Sequence, residues 1–219
     1  MDMFIKVAPD VHESFPDIRV KTVTIEGLAV KPKAEFITAR RKKILNSIRT
    51  KYSSLDVNSD PIVQAYRSLY MKIGLNPDQT PPSVQALISR FIKTEQFPNI
   101  NSVVDCVNLA TLESMIPLGV FDLDCVAGDI VLRFSHEGEP FLELGKKESY
   151  ALAKGKLILA DSEKVLSVYY WRDSDYQKIT EKTKNIAILA CQVEGISDDM
   201  IDNSLAIAEE LVKTSHAIK

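Results

Sequence analysis

Residues 101–124 read NSVVDCVNLATLESMIPLGVFDLD, and the predicted structure of the chain changes within this stretch. The apolar residues of its first part recur at the spacing of an α-helix with one buried face: Val103, Val104, Val107, Leu112 and Met115. Pro117 and Gly119 are predicted to end that helix. Helices are predicted before this point and strands after it, which indicates an α+β fold in one globular domain rather than alternating α/β units.

Upstream, short strands are predicted at 4–7 and 18–30, with Pro9 and Pro16 in the loop between them. A basic helix is predicted at about 35–51. Its apolar face holds Ile37, Ile44, Leu45 and Ile48. Two more helices are predicted, one after the Asp60-Pro61 start signal and one after Ser83.

Downstream, the alternation of 129–135 predicts a strand that returns as 141–144 through a hairpin turn at Glu137-Gly138. Further strands are predicted at 157–159, 165–171 and 186–193. A C-terminal helix is predicted after Ser197, because acidic side chains suit the positive end of a helix dipole.

The 219 residues are 45% apolar and 26% charged, with a net charge of −3, which excludes wholesale disorder. No apolar run reaches the roughly 20 residues needed to span a bilayer, so no membrane association is expected. The three cysteines are odd in number and widely spaced, which is typical of a reducing compartment. We therefore expect a cytoplasmic protein.

The charge is concentrated in two segments. Residues 31–51 carry eight basic side chains and one acid, a net +7, so the remaining chain sums to −10. Residues 194–210 carry six acids and no lysine or arginine. The basic segment is either a solvated helix face or a phosphate-binding surface, whose candidate contacts are Arg40, Arg41, Lys42, Lys43 and Arg49. A third hypothesis makes the two segments complementary surfaces, for example between subunits; the sequence leaves the oligomeric state open.

Motifs for metal, cofactor or nucleophilic chemistry are missing. The three histidines are scattered and no cysteine pair has ligand spacing, so we expect no metal and no cofactor. Asp122 and Asp124 would share a face if both lay on a strand, but an acidic turn that bonds the backbone is the simpler interpretation. Residues 171–185 are either the polar wall of a small-ligand pocket or a turn bonded to itself.

Several stretches, taken in order, resemble one family. They are Ala65-Tyr66-Arg67 to Gly74, Pro82-Ser83 with Ala86-Leu87, Asn99-Ile100-Asn101, Val103-Val104-Asp105 with Asn108, Phe121-Asp122-Leu123-Asp124, Gly128, Arg133, Gly138-Glu139, and Asp173-Ser174-Asp175 with Thr180, Thr183 and Asn185. Together they resemble the B3/B4 domain of the phenylalanyl-tRNA synthetase β subunit, and more closely the free-standing proteins built on that domain.

The resemblance implies a layered sheet core with flanking helices over residues 60–195. Residues 1–59 would then form an extension with the basic helix, and residues 196–219 an acidic helix. In the synthetase this domain hydrolyses tyrosine wrongly attached to the phenylalanine tRNA. The resemblance therefore implies a protein that binds tRNA or hydrolyses aminoacyl-tRNA in trans; the alternative is a non-catalytic module that binds an amino acid or small metabolite.

The pocket implied by the resemblance is lined by Asn108, Asp122, Asp124 and Arg133, with Asp173, Asp175, Thr180 and Thr183 opposite. Two positions depart from the synthetase pattern. The synthetase has a histidine just before Phe-Asp, where this chain has Gly119 or its neighbour Val120. It also has a glutamate in the strand after Thr-x-Asn, whereas Ile186–Cys191 contains no acid. The catalytic residues therefore stay unassigned, and enzymatic activity is left open.

Overall fold

The computed structural model describes residues 5–34, 37–168 and 172–216. Within these ranges the α-helices are α1 (Pro9–Ser14), α2 (Thr38–Tyr52), α3 (Pro61–Lys72), α4 (Ser83–Thr94), α5 (Ser102–Ser114) and α6 (Asp198–His216). The strands are β1 (Lys6–Val7), β2 (Arg19–Ile25), β3 (Leu118–Asp122), β4 (Val131–Phe134), β5 (Glu139–Phe141), β6 (Tyr150–Leu152), β7 (Leu157–Ala160), β8 (Val165–Val168), β9 (Arg172–Asp173) and β10 (Ile186–Gln192). The predicted α+β class is confirmed.

Three sheets organise these strands. The five-stranded sheet has the order β1-β4-β7-β8-β9, the three-stranded sheet has the order β2-β10-β3, and β5 pairs with β6. β1 and β4 are parallel, and the other pairs are antiparallel. β10 is central to the three-stranded sheet, and α6 packs against β10 and β2. Because protein covers both of its faces, Ile186–Cys191 is buried along its whole length.

The helices begin where local signals predict them. The Asp60 carboxylate accepts the Ile62 amide at 3.0 Å, and its other oxygen accepts Lys51 Nζ and the Tyr52 hydroxyl, both at 2.8 Å. Asn101 Oδ1 accepts the amides of the two residues that follow Ser102, and caps α5. Asp60 thus starts α3 and also ties it to the end of α2.

The predicted basic helix is present as α2. α2 runs from Thr38 to Tyr52, and the predicted start at Glu35 lies outside the described residues. Its buried face contains Ile44 and Ile48, whereas Leu45 is half-buried. No helix in the described part of the chain is both long and apolar enough to cross a membrane.

The predicted hairpin between 129–135 and 141–144 is wrong. The Glu137-Gly138 turn exists, with Gly138 at φ +77°, but its two sides enter different sheets. β4 has β1 on one edge and β7 on the other, so no edge is left for the returning strand. β5 pairs instead with β6, which brings Phe141 opposite Tyr150.

The segment between Pro9 and Pro16 was predicted as a loop, and most of it is helical. α1 begins at Pro9, a position where a helix needs no backbone N–H and where the fixed φ of proline is favourable. Its Val11 is fully buried. α1 packs with this side chain against β4 of the five-stranded sheet.

Candidate functional site

A cavity of about 160 Å³ lies between the three-stranded and five-stranded sheets. The three-stranded sheet contributes Gly119 and Phe121 from β3, and Leu189 and Cys191 from β10. Residues two apart in a strand point to the same side of the sheet, which explains why these alternate positions form one wall. That wall is apolar.

The opposite wall carries polar groups. Leu159 of β7 pairs with Ser167 of β8, and Ser167 pairs with Asp173 of β9, so the three side chains form one row across the five-stranded sheet. The rest of the lining comes from Val20, Ser83, Pro117, Leu118 and Arg172. The cavity therefore has one apolar wall and one wall that presents a hydroxyl and a carboxylate.

Asp173 is the acidic side chain of the cavity. Asp173 is an exposed residue at the edge of its sheet, yet many protein atoms lie around its carboxyl group. Desolvation raises the pKa of Asp173 to about 6, against a smaller opposing effect of its hydrogen bond with Ser167. The carboxyl is thus mostly ionised at pH 7 and exchanges its proton near neutrality.

Arg172 also lines the cavity, but its charge is already balanced. Its Nε lies 3.0 Å from Oε1 of Glu143, which belongs to the segment after β5. It is the one basic residue among the described residues that line the cavity. A ligand carboxylate would therefore have to compete with Glu143 for this guanidinium.

Gly119 and Leu189 face each other directly. They are partners in the register between β3 and β10, and a Cβ at Gly119 would meet only the Leu189 Cδ1 atom, at 3.9 Å. Val120 lines none of the cavities found in the described structure and packs against the hydrophobic core. Gly119 is therefore the member of the Gly119-Val120 pair that borders the cavity.

Cys191 is a wall residue and not a nucleophile. Its backbone carbonyl accepts the Tyr66 hydroxyl at 2.8 Å, and burial raises the pKa of its thiol well above the usual value. A thiol without an activating base and with a raised pKa is inert at neutral pH. The cavity thus contains Ser83, Ser167 and Asp173 as its candidate reactive groups.

Asp122 and Thr183, both predicted to line a pocket, are bonded to each other and buried. Asp122 Oδ2 accepts the Thr183 hydroxyl at 2.5 Å, and Asp122 Oδ1 accepts the Asp124 amide at 3.0 Å. The Thr183 hydroxyl also accepts the Thr180 amide at 2.9 Å. These bonds tie the end of β3 to the loop before β10, and none of these four residues borders the cavity.

Asp124 bonds a neighbouring part of the same loop. It is not on the strand with Asp122 but in a 3-10 turn at Leu123–Cys125, so the two carboxylates do not share a strand face. Asp124 Oδ2 accepts the Lys184 amide at 3.0 Å, and Oδ1 accepts Asn185 Nδ2 at 2.6 Å. The Lys184 amide is the largest cause of its lowered pKa. The structure therefore agrees with the simpler of the two interpretations, an acidic turn whose side chain bonds the backbone.

The remaining predicted pocket residues are also placed away from the cavity. Asp175 accepts the Gly145 amide and binds Lys178 Nζ at 2.7 Å, which lowers its pKa. Arg133 forms a two-bond ion pair with Glu139. Asn108 is half-buried on α5. Of the eight candidates, Asp173 alone is among the described residues that line the cavity.

The sequence did not single out Ser167, Ser83 or Arg172 as cavity residues. One usable signal was Ser167, a hydroxyl inside the otherwise apolar and fully buried strand Val165–Val168. A buried polar side chain in such a strand needs a partner, and here the Ser167 hydroxyl donates to the Arg172 carbonyl oxygen at 3.1 Å. Trp171, the first residue of the polar segment predicted as a pocket wall, lies outside the described residues.

The predicted basic surface divides into paired and unpaired residues. Arg40 contacts Glu113 at 3.1 Å and Glu210 at 2.7 Å, so the basic and acidic segments meet within one chain. Arg49 pairs with Glu95 at 3.3 Å. The Arg41 guanidinium lies over the Phe97 ring, 4.9 Å from its centroid.

Lys42 and Lys43 differ from these arginines. Both are exposed on α2, and neither has an ion pair with any residue that the structure describes. No group of three or more histidine, cysteine, aspartate or glutamate side chains in the described ranges could hold a metal ion. Of the five basic residues predicted to contact phosphates, Lys42 and Lys43 are thus the two exposed lysines without an ion pair to a described residue.

A helical first half, layered sheets and a cavity between them define a class of α+β domain. The model of the B3/4 domain matches residues 65–210, which is most of the chain, and the chain belongs to that family. The structure is similar to an N-terminal fragment of the phenylalanyl-tRNA synthetase β subunit from Pyrococcus horikoshii, with a TM-score of 0.50 and 16% identity over 97% of this chain and 49% of that one.

Curated relatives are phenylalanine–tRNA ligase β subunits. The one from Protochlamydia amoebophila is 34% identical over 119 residues, and the one from Mesorhizobium japonicum is 30% identical over 126 residues. These matches cover 54% and 58% of this chain but only 14% and 16% of the relatives. The chain thus corresponds to one domain of a much longer protein.

Proposed function

We propose that this protein acts on aminoacyl-tRNA in trans and takes the esterified amino acid into the cavity between the two sheets. One observation carries the proposal. Gly119 and Leu189, which stand in the region where the synthetases have their histidine and glutamate, are register partners and both border the cavity. The resemblance and the geometry therefore point to the same space.

The polar wall favours an esterified amino acid over a free one. An aminoacyl ester carries an ammonium group and no free carboxylate. Asp173 offers that ammonium an anionic acceptor, whereas the Arg172 guanidinium is engaged by Glu143. A free amino acid would bring a carboxylate without an available cation, and a buried unpaired charge is costly.

The size of the cavity restricts the side chain. A cavity of about 150 Å³ in another protein binds a molecule the size of benzene. At about 160 Å³, this cavity suits a small or medium side chain, held against the apolar wall of Leu189 and Phe121. That wall has lost the acidic group that would accept a tyrosyl hydroxyl, so tyrosine is a poor substrate here.

Hydrolysis is the second candidate. In this alternative Asp173 acts on a water molecule instead of the ammonium group, and its raised pKa favours that role. A general base works best when its pKa is near the working pH. The Asp173 carboxylate would take a proton from water as the water oxygen bonds to the ester carbonyl carbon. The bond from that carbon to the ribose oxygen then breaks, and the ribose oxygen receives the proton.

The basic helix supplies the contact to the tRNA backbone in this proposal. Lys42 and Lys43 are the candidates, because Arg40 and Arg49 are held in ion pairs. Replacing both lysines by glutamine is expected to weaken tRNA binding and to reduce the salt dependence of log K by roughly 1.8, the effect of two lost phosphate contacts on a duplex. The charge-matched control is Lys182→Gln with Lys184→Gln, two exposed lysines away from α2, and equal effects of the two pairs would contradict the assignment to α2.

The decisive test is a deacylation and binding assay over a panel of correctly and wrongly charged tRNAs. We expect at least one charged tRNA to bind more tightly than its uncharged form. Asp173→Asn is expected to reduce this ratio of affinities about tenfold, the effect of losing one charge-assisted hydrogen bond. Asp124→Asn is the control, because it changes a surface aspartate outside the cavity. Equal binding of charged and uncharged tRNA at low salt would overturn the proposal.

The non-catalytic module predicts a different pattern. A free amino acid would then raise the thermal midpoint by mass action, and no ester would turn over. A shift with a free amino acid, combined with no shift from its amide, would favour that alternative.

A further inference from the structure

A second basic surface surrounds the small β5–β6 sheet. Residues 144–156 contain four lysines and one acid, and we call Lys146, Lys147, Lys154 and Lys156 with Tyr150 the hairpin patch. None of these lysines forms an ion pair with a residue in the described ranges. The patch is separate in sequence from the basic helix α2.

An open cleft of about 310 Å³ lies beside the hairpin patch. Its walls include the apolar side chains of Leu152, Leu157 and Val168, with Lys156 at the side. Tyr150 forms another wall and is 41% exposed. Its ring is fixed by a T-shaped contact with Phe141, with centroids 5.7 Å apart and planes at 86°. A rigid, exposed aromatic ring on an apolar cleft suits a flat ligand.

The cleft and the cavity are neighbours on opposite sides of one sheet edge. Val168 lines the cleft, and the adjacent Ser167 lines the cavity. Glu143 of the cleft is bonded to Arg172 of the cavity. The Arg172–Glu143 ion pair therefore joins the lining of the cavity to the lining of the cleft.

We infer that the hairpin patch binds an unpaired nucleotide of the single-stranded 3′ end of an RNA. The base packs on Tyr150 and the apolar walls, and the phosphates meet the four lysines. Single-stranded RNA is held by this combination of aromatic stacking and positive charge. The inference rests on the proposed function, since the amino acid in the cavity would be attached to that same end.

The test compares wild type with Tyr150→Ala and Tyr150→Phe. The probe is an uncharged tRNA acceptor hairpin with its four-nucleotide single-stranded 3′ end, and the control probe is the same hairpin with a blunt end. Stacking on one aromatic ring contributes about 1–3 kcal/mol, so Tyr150→Ala is expected to weaken binding of the overhang probe by roughly 5- to 150-fold. Tyr150→Phe keeps the ring and is expected to bind like wild type.

Three results would overturn the inference. One is equal affinity of wild type and Tyr150→Ala for the overhang probe, with matching thermal midpoints. Another is an equal loss of affinity for the blunt probe. The third is binding of a polyglutamate peptide as tightly as the overhang probe, which would assign the lysines to an acidic protein partner.

This test and the test of the proposed function fail separately. If aminoacyl amides bind in a way that depends on Asp173 but Tyr150→Ala does not change the affinity for RNA, the hairpin patch is excluded as the RNA site. The assignment of the cavity to the amino acid then remains. If the overhang probe binds in a way that depends on Tyr150 but no aminoacyl amide binds, the assignment of the cavity to the amino acid is excluded. The hairpin patch then remains as an RNA-binding surface.

Discussion

Asp122 and Asp173 each stand at the end of a strand, and the sequence predicted both as pocket residues. Both oxygens of Asp122 accept hydrogen bonds, from Thr183 and from the Asp124 amide, and the residue is 4% exposed. Asp173 has Ser167 as its neighbour across the strand and opens to the cavity. The difference shows that residue type and position at a strand end do not separate a structural acid from a functional one; hydrogen-bond saturation does.

The largest expected effect is on stability at Asp122. Asp122→Ala leaves the buried Thr183 hydroxyl and the Asp124 amide without an acceptor, at a cost of about 2–4 kcal/mol in the free energy of unfolding. Urea denaturation measures this loss. Asp173→Ala, the matched change in the cavity, is expected to keep wild-type stability or exceed it at pH 7. Equal losses for the two variants would break the comparison.

The next effect is on how stability varies with pH. The folded-state pKa of Asp173 is raised to about 6, so the folded protein binds this proton more tightly than the unfolded chain does. The resulting stabilisation is present below the unfolded value near 3.8 and is lost as the pH rises through about 6. Asp173→Asn is expected to flatten the stability curve between pH 4 and pH 7, as measured by thermal unfolding. An unchanged slope would show that the carboxyl is not desolvated.

A smaller effect is expected at the apolar wall. Gly119 lies in a strand with ordinary backbone angles, and a Cβ there meets only Leu189 Cδ1 at 3.9 Å. Gly119→Ala is therefore expected to raise stability by about 0.4–1 kcal/mol, because the unfolded chain loses freedom. The same methyl group occupies cavity space and is expected to weaken aminoacyl amide binding. A loss of stability would mean that the wall has no spare room.

The smallest expected effect is at Asp124. Its carboxylate bonds Lys184 and Asn185 at the surface, where water replaces a lost partner easily. Asp124→Ala is expected to move the thermal midpoint much less than Asp122→Ala. A loss as large as that of Asp122→Ala would show that the whole turn unfolds as a unit.

The sequence predicted best what is decided locally. The starts of α3 and α5 follow from Asp60-Pro61 and Asn101, whose side chains cap the helix that begins beside them. The strand after Asn185 follows from its uninterrupted apolar composition. Such signals act over a few residues and need no knowledge of the rest of the fold.

The failures concern partners that are far apart in sequence. The hairpin at Glu137-Gly138 was wrong because β1 and β7, distant segments, occupy both edges of β4. The pocket was predicted from clustered polar residues, but Asp122 and Thr183 satisfy each other across 61 positions. Arg40 lost its role as a free cation because Glu210 reaches it from α6. Only the folded chain reveals these pairings.

The central claim is that the cavity between the sheets receives the amino acid. Its most direct test is a titration of the isotope-labelled protein with a panel of aminoacyl amides, followed by the backbone NMR signals. The account predicts that at least one amide shifts the signals of Gly119, Ser167, Asp173 and Leu189, and that Asp173→Asn weakens this binding while Asp124→Asn does not. Shifts confined to other surfaces, or equal binding by both variants, would contradict it.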